Sequence, residues 1–338
     1  MNFQDIKSIE PAQFYLDLAF RRMREKGTEL RQTRLQGGRI EKSRYIETLK
    51  MQVVADTLTS RMQSIVKSFP SLDTLPEFYN QLVRLHIEYG QLKLSLGSVH
   101  WLGIRAQKIF QEYRTKLKMN TRFERVNVLS REYLGRISSM VKQLKGDFIF
   151  LEQARKLMKG FPTIKTSLRT VSIVGFPNVG KTTILFKLTG SPAEISSYPF
   201  TTKGVNVAYI GKGKEAIQLL DTPGTLDRFE KMNAIEQIAY LAMKLCSQGI
   251  VYVFDPTEEY PLDKQEKLLE KLKRDVNLPL IVYISKTDVG EKERIDYLKK
   301  KYDTITDIDE LKEKIVSLVK PFPEKEEDSE QEQTEEVE

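Results

Sequence analysis

The chain's most definite chemistry lies in Gly175-Phe176-Pro177-Asn178-Val179-Gly180-Lys181-Thr182-Thr183. The stretch fits G-x-x-x-x-G-K-[ST], in which glycines let successive backbone N–H groups turn inward onto an oligophosphate. Lys181 would reach the β- and γ-phosphates, and the Thr182 hydroxyl would ligate Mg²⁺. A second cluster, Asp221-Thr222-Pro223-Gly224, offers a carboxylate that can hold Mg²⁺ through water and a Gly224 N–H that can sense a γ-phosphate. Between them, Tyr198-Pro199-Phe200-Thr201-Thr202-Lys203-Gly204 supplies Thr202, which can close over the metal only while a γ-phosphate is present. Singly, the last two are common turn sequences. Their order after a phosphate loop makes them specific.

Each cluster needs an element to hold it. Val171-Ser172-Ile173-Val174 reads as a buried strand before the loop, and Ile184, Leu185 and Leu188 put an apolar stripe on a helix starting at about Lys181. That helix end adds its partial positive charge to the phosphate site. Strands are expected at Val205 to Ile210, Ile217 to Asp221, Ile250 to Phe254 and Leu280 to Ile284. Helices are expected at Ala234 to Leu245, Leu262 to Leu272, Glu291 to Lys300 and Ile308 to Val319. Such alternation implies a mostly parallel sheet with helices on both faces and ligands at the carboxyl ends of the strands.

A fourth cluster, Ser285-Lys286-Thr287-Asp288, follows the strand ending at Ile284 and is similar to the guanine-reading N-K-x-D of GTPases. Asp288 would accept from guanine N1–H and N2–H, and the Lys286 stem would cover the base. Ser285 stands where that motif has asparagine. One lost side-chain hydrogen bond is worth ~0.5–1.5 kcal/mol, so guanine selectivity is expected to stay with Asp288.

Residues 1–165 read as all-helical. A first helix is expected from Pro11 to about Lys26, followed by a polar, glycine-interrupted loop from Arg21 to Arg44. A long helix carries Tyr45, Leu49, Val53, Leu58, Met62, Ile65 and Phe69 and stops at Pro70. The next begins near Pro76, has Phe78, Leu82, Leu85 and Leu94 on its stripe, and continues through Trp101, Ile104 and Ile109 to about Met119. The last spans roughly Phe123 to Met158. Three long helices with short connections predict an antiparallel three-helix bundle. Trp101 is expected in its core, and His86 and His100 are read as ordinary bundle residues, lacking metal-ligand spacing.

Charge divides the chain into three devices. Residues 1–165 carry 30 Lys and Arg against 16 Asp and Glu, residues 166–323 carry 23 against 22, and residues 324–338 carry 1 against 9. The basic front implies a phosphate-rich partner or a merely solvated helical face, and the Arg-rich stretch 21–44 is the strongest place for RNA. The tail is expected to be disordered, either solubilising or covering the basic face until RNA displaces it. A single cysteine, Cys246, excludes an internal disulfide framework and points to a reducing, cytoplasmic setting. Apolar runs such as Gly249 to Phe254 are too short to span a bilayer, and the N-terminus lacks a signal-type apolar segment. No membrane partner is expected.

Taken together, the chain resembles the nucleolar GTP-binding protein (Nog) family of Obg-related GTPases, in a compact archaeal-type form. The likeness rests on Gly175 to Lys181, Phe200-Thr201-Thr202-Lys203, Asp221 to Gly224, Ile235-Glu236 and Ile308-Asp309-Glu310-Leu311. It extends to Ser71-Leu72-Asp73, Phe78-Tyr79 and Lys93-Leu94-Ser95-Leu96-Gly97. The resemblance implies a helical bundle (1–165) facing rRNA, a P-loop GTPase domain (166–320) and an acidic tail (321–338). It implies GTP and GDP as ligands with Mg²⁺ held by Thr182, Thr202 and Asp221. It further implies a switch in assembly of the large ribosomal subunit, in a chain that is monomeric off the ribosome.

Three departures qualify the expected chemistry. Ser285 replaces asparagine, the last guanine loop shortens to Asp303-Thr304-Ile305-Thr306-Asp307 with Thr304 as its base contact, and the chain ends acidic rather than basic. After Gly224 come Thr225 and Leu226, neither with a glutamine's reach toward water, so unaided hydrolysis is expected to be slow. Activation would come from rRNA, a protein or a cation. GTPases with Pro-Asn at 177–178 can use that asparagine to hold K⁺, which would place Asn178 with Lys181, Thr202 and Gly224 in catalysis; otherwise Asn178 only stabilises the turn. The alternative is an RNA-binding assembly protein that keeps its nucleotide with negligible turnover.

Overall fold

A computed structural model describes residues 3–190, 194–196, 205–222, 234–257 and 260–319. The chain divides into two compact units, Asn2–Phe161 and Pro162 onward.

The first unit is all-α: α1 (Ala12–Gln32), α2 (Arg39–Ser68), α3 (Glu77–His86), α4 (Tyr89–Met119), α5 (Phe123–Gln143) and α6 (Lys145–Lys159). Cross-contacts fix the directions. Arg44 donates to the carbonyls of Lys118 and Asn120, Gln107 to Asp56, and Thr59 to the carbonyl of Gly103, so α2 and α4 run antiparallel. Ser130 Oγ donates to Glu47 and Tyr133 Oη to the Met51 carbonyl, which sets α5 parallel to α2. Gly103 is the point of closest approach: a Cβ there would lie 3.4 Å from Met62 Cβ and 3.5 Å from Thr59 Cα. Omitting the side chain lets the helices close on each other.

The three long helical spans are present, and the structure refines them in three respects. The segment 76–119 breaks at Ile87, which is extended (φ −132°, ψ 136°). The buried set of α3 (Phe78, Tyr79, Leu82, Val83) is out of step with that of α4 (Leu92, Ser95, Val99, Leu102), so one continuous helix could not aim both at the core. Leu85 and Leu94 accordingly point outward, with Leu94 67% exposed. The last span breaks at Leu144, between α5 and α6. Finally, α1 runs through Gly27 to Gln32 and packs beside α2 as a fourth long helix, leaving only residues 33–38 as a connection. The stretch 21–44 is thus a helical corner and not a loop. Glu41 caps the restart, accepting from Gly38 N–H at 2.8 Å.

The second unit alternates strands and helices: β1 (Arg169–Val174), α7 (Lys181–Thr189), β2 (Glu194–Ser196), β3 (Val205–Ile210), β4 (Ile217–Asp221), α8 (Ala234–Cys246), β5 (Gly249–Phe254), α9 (Leu262–Asp275), β6 (Leu280–Ile284), α10 (Lys292–Lys301), β7 (Thr304–Ile305) and α11 (Ile308–Leu318). The strand order is β2-β3-β4-β1-β5-β6-β7. β4, β1, β5, β6 and β7 are parallel, and β3 and β2 join antiparallel at one edge. Alternation in β5 feeds two cores: Val251 and Val253 pack with Leu185, Leu311 and Ile315, whereas Ile250, Tyr252 and Phe254 pack with Met243, Leu269 and Leu298. Helices therefore cover both faces, as a parallel sheet requires.

Leu102 is fully buried on α4. Leu102→Ala is expected to destabilise the helical unit by about 2–5 kcal/mol, read by urea unfolding with the single tryptophan, Trp101, as the fluorescent reporter.

Candidate nucleotide-binding site

Four of the parallel strands end side by side, and each end carries one of the clusters. β1 leads into Gly175, β4 ends on Asp221, β5 is followed by Asp255, and β6 by Ser285 and Lys286.

The loop between β1 and α7 is shaped by two residues with left-handed backbones, Asn178 (φ 61°) and Gly180 (φ 91°). Asparagine tolerates that region and glycine adopts it freely. Gly175 is required for space: a Cβ there would sit 2.7 Å from the carbonyl oxygen of Val253 and 3.1 Å from Val179 Cγ2. Val179 is buried in the core beneath, anchoring the loop from its middle, and Phe176 meets the ring of Tyr260 at 5.0 Å.

Lys181 is the first residue of α7 and is 8% exposed. Its Nζ donates to the carbonyls of Gly175 (3.0 Å) and Phe176 (2.6 Å), which folds the side chain back over the loop. Burial lowers its pKa, with the charge of Asp221 opposing that shift. A phosphate near Nζ would favour the charged form. Thr182 Oγ1 donates to Asp221 Oδ2 at 2.7 Å, so the two expected metal ligands already meet. Asn206 Nδ2 donates to the same oxygen at 3.0 Å. Among the described residues, Asp221 Oδ1 is buried and has no hydrogen-bond partner. A hydroxyl and a carboxylate with an unspent buried oxygen form a hard-oxygen set, and these residues fit Mg²⁺. Thr222 follows Asp221 and turns inward, with its N–H (3.2 Å) and hydroxyl (2.9 Å) both donating to the Ile173 carbonyl. This double bond fastens the end of β4 to β1.

The Ser285-Lys286-Thr287-Asp288 cluster is held from β5. Ser285 N–H and Oγ both donate to the Phe254 carbonyl, at 2.9 and 3.0 Å. Ser285 also lies under the phosphate loop, its Cβ 3.9 Å from where a Cβ on Gly180 would be. Lys286 takes a left-handed backbone (φ 51°) and its Nζ pairs with the fully buried Asp255 at 2.7 Å. Asp255 is fixed in turn by Gln265, whose amide bonds its N–H (2.9 Å) and its carbonyl (2.8 Å). Asp288 is exposed on the turn beyond.

Several expected positions change. Thr304 lies within β7, level with Val282, two residues short of the end of β6, so the carboxyl edge belongs to Thr306 and Asp307 instead. Asp307 is occupied there as the cap of α11, accepting from the N–H groups of Asp309 and Glu310. Trp101 is 49% exposed on α4 and does not belong to the core. His86 is partly buried, and desolvation lowers its pKa; His100 is exposed. Thr202, Pro223, Gly224, Thr225, Leu226 and the acidic tail lie outside the described residues. Asn206, Asp255 and Gln265 were not picked out by sequence. For Asp255 a signal existed, an acid directly after an all-apolar strand, as at Asp221.

Residues 3–165 match the family profile described as the NOG1 N-terminal helical domain, and residues 170–286 match that of a 50S ribosome-binding GTPase. An uncharacterized protein of Methanocaldococcus jannaschii is 36% identical over 280 residues, covering 82% of this chain and 78% of its own. Nucleolar GTP-binding protein 1 of Drosophila melanogaster is 30% identical over 292 residues, covering 85% of this chain and 44% of its own. The chain belongs to the nucleolar GTP-binding protein family. It spans less than half the length of the fly protein and 78% of the archaeal one. Among solved structures, the G domain of the Thermotoga maritima FeoB iron transporter is 26% identical and covers 45% of this chain and 98% of its own, with a TM-score of 0.37. As a member of this family the chain carries a P-loop GTPase domain that binds guanine nucleotide.

Gly175→Ala is expected to lower affinity for a fluorescent GTP analogue by at least about tenfold while leaving the helical circular dichroism signal unchanged, since the added methyl meets the backbone of β5.

Proposed function

We propose that the chain is a GTP-controlled factor in assembly of the large ribosomal subunit, docking on rRNA through its basic helical unit. The observation that supports it best is the meeting of Lys181, Thr182 and Asp221 beside the Ser285–Lys286 cluster, in a chain whose other unit is strongly basic.

In this reading the loop N–H groups and Lys181 neutralise the β- and γ-phosphates, and Lys181 stabilises charge that builds on the oxygens during transfer. Thr182, Asp221 and, by sequence, Thr202 would hold Mg²⁺, which supplies further charge neutralisation when bound. Thr202 and the Gly224 N–H would register the γ-phosphate. Asp288 reads the guanine edge, and Lys286 covers the base from its ion pair with Asp255. With Thr225 and Leu226 after Gly224, no side chain there can orient water as glutamine does, so intrinsic turnover is slow. Asn178 already serves the turn through its left-handed backbone, and K⁺ beside it would supply positive charge at the bridging oxygen.

The corner of α1 and α2 presents Arg21, Arg22, Arg24, Arg31, Arg34 and Arg39 to solvent. Arg44 differs: it is spent closing the end of α4 through the Lys118 and Asn120 carbonyls. Among the described residues no helix is long and apolar enough to cross a membrane. We place the chain in the cytoplasm, associated with the ribosome and monomeric when free of it, as the sequence reading expects. The alternative reading, an assembly protein retaining nucleotide without turnover, draws on Ser285, whose hydroxyl is committed to the Phe254 carbonyl.

GTP hydrolysis in K⁺ buffer is expected to rise on adding purified large ribosomal subunits, and the rise to vanish in Lys181→Ala. Subunit binding without turnover in any condition would favour the alternative. Replacing K⁺ by Na⁺ is expected to slow hydrolysis, with Asn178→Ala removing the difference. Converting Arg22, Arg31 and Arg34 together to glutamine is expected to weaken rRNA binding and reduce the slope of log affinity against log salt by about two to three, measured by filter binding.

A further inference from the structure

We propose that Asn206 is a positioning residue for the metal-holding carboxylate, fixing Asp221 so that its buried Oδ1 faces the Mg²⁺ that arrives with nucleotide. The inference rests on the GTP-binding reading above.

Asn206 sits on β3 directly opposite Asp221 of β4 in the antiparallel register. It is therefore the residue that strand pairing itself delivers to this carboxylate. The two oxygens of Asp221 are treated unequally. Among the described residues Oδ2 receives two donors, Thr182 Oγ1 at 2.7 Å and Asn206 Nδ2 at 3.0 Å, whereas the buried Oδ1 receives none. A buried carboxylate oxygen without a partner is costly, and a cation or its bound water at Oδ1 removes that cost.

The donor types fit the same division. Thr182 has one proton and free lone pairs, so its oxygen can turn to a metal while the proton stays on Oδ2. The Asn206 amide nitrogen can only donate, so it competes for no metal coordination. Being neutral, it also leaves intact the negative charge that draws Mg²⁺, which a lysine or arginine in its place would cancel. The χ2 torsion of aspartate is broad, and two donors on one oxygen define the carboxylate plane where one would not. Local sequence points the same way. Asparagine is disfavoured in strands, yet here it interrupts Val205-Asn206-Val207-Ala208-Tyr209-Ile210. Where a residue contradicts its local element, a site is the expected reason.

The test is Mg²⁺ titration of fluorescent GDP release from the full chain, comparing native protein with Asn206→Leu and Asn206→Ala. The Mg²⁺ concentration that half-maximally slows release is expected to rise roughly tenfold in both variants, the worth of one charge-assisted hydrogen bond. Release in excess EDTA is expected to match the native chain, because Asn206 acts only through the metal-facing carboxylate. An unchanged Mg²⁺ midpoint overturns the proposal. So does faster release by the same factor with and without Mg²⁺, which would mark a purely structural role. If the native chain itself shows no Mg²⁺-dependent retention of GDP, the nucleotide reading falls and this inference falls with it.

Discussion

Parallel register is the constraint on which the rest depends. β4, β1, β5 and β6 hydrogen-bond side by side in one direction, so their carboxyl ends emerge along one line. Each end then places a different group: the phosphate-loop motif, the carboxylate of Asp221, the buried acid Asp255 and the turn from Ser285 to Asp288. The ties between neighbouring ends are short. Thr222 bonds the Ile173 carbonyl, Ser285 bonds the Phe254 carbonyl, and Thr182 bonds Asp221. A shift of one strand by one residue would move its cluster to the opposite face of the sheet and break these ties.

The same economy appears in how strain is held. Lys286 takes a left-handed backbone that costs on the order of 1 kcal/mol for a residue with a Cβ. Its ion pair with buried Asp255 holds it there, and Gln265 in turn holds Asp255. The turn after β6 is therefore supported from the neighbouring strand, not from its own sequence. Ser285 belongs to that support, binding β5 with both its N–H and its hydroxyl.

The helical unit follows a different logic. Its directions are set by polar contacts between long helices, several of them buried, such as Ser130 to Glu47 and Tyr133 to the Met51 carbonyl. These fix the axial register of an interior that apolar stripes alone would leave free to slide. The outward face of α4 keeps Leu94, Trp101 and Ile104 exposed, and the corner of α1 and α2 keeps its arginines in solvent.

Apart from the short edge strands β2 and β7, the alternation of elements in the second unit is legible in the sequence nearly to the residue, because each longer strand is a short apolar run and each helix a clear stripe. The sequence also locates the phosphate loop and Asp221, since their chemistry needs fixed residue types at fixed spacing. In the helical unit periodicity finds the long spans but not their breaks: Ile87 interrupts a helix because the buried faces on either side are out of phase, and at Leu144 α5 and α6 keep nearly the same buried face, so spacing carries no sign of that break. Trp101, too, reads as core from spacing alone. Thr304 reads as a loop residue because a two-residue strand carries no periodic signal; only pairing with β6 makes it a strand. Asn206, a polar residue within an apolar strand, and Asp255, an acid directly after one, are marked by their neighbours as unusual, but their partners are not. Their roles exist only once β3 lies opposite β4 and β6 lies beside β5, because a hydrogen bond between distant segments is a property of the register and not of either segment.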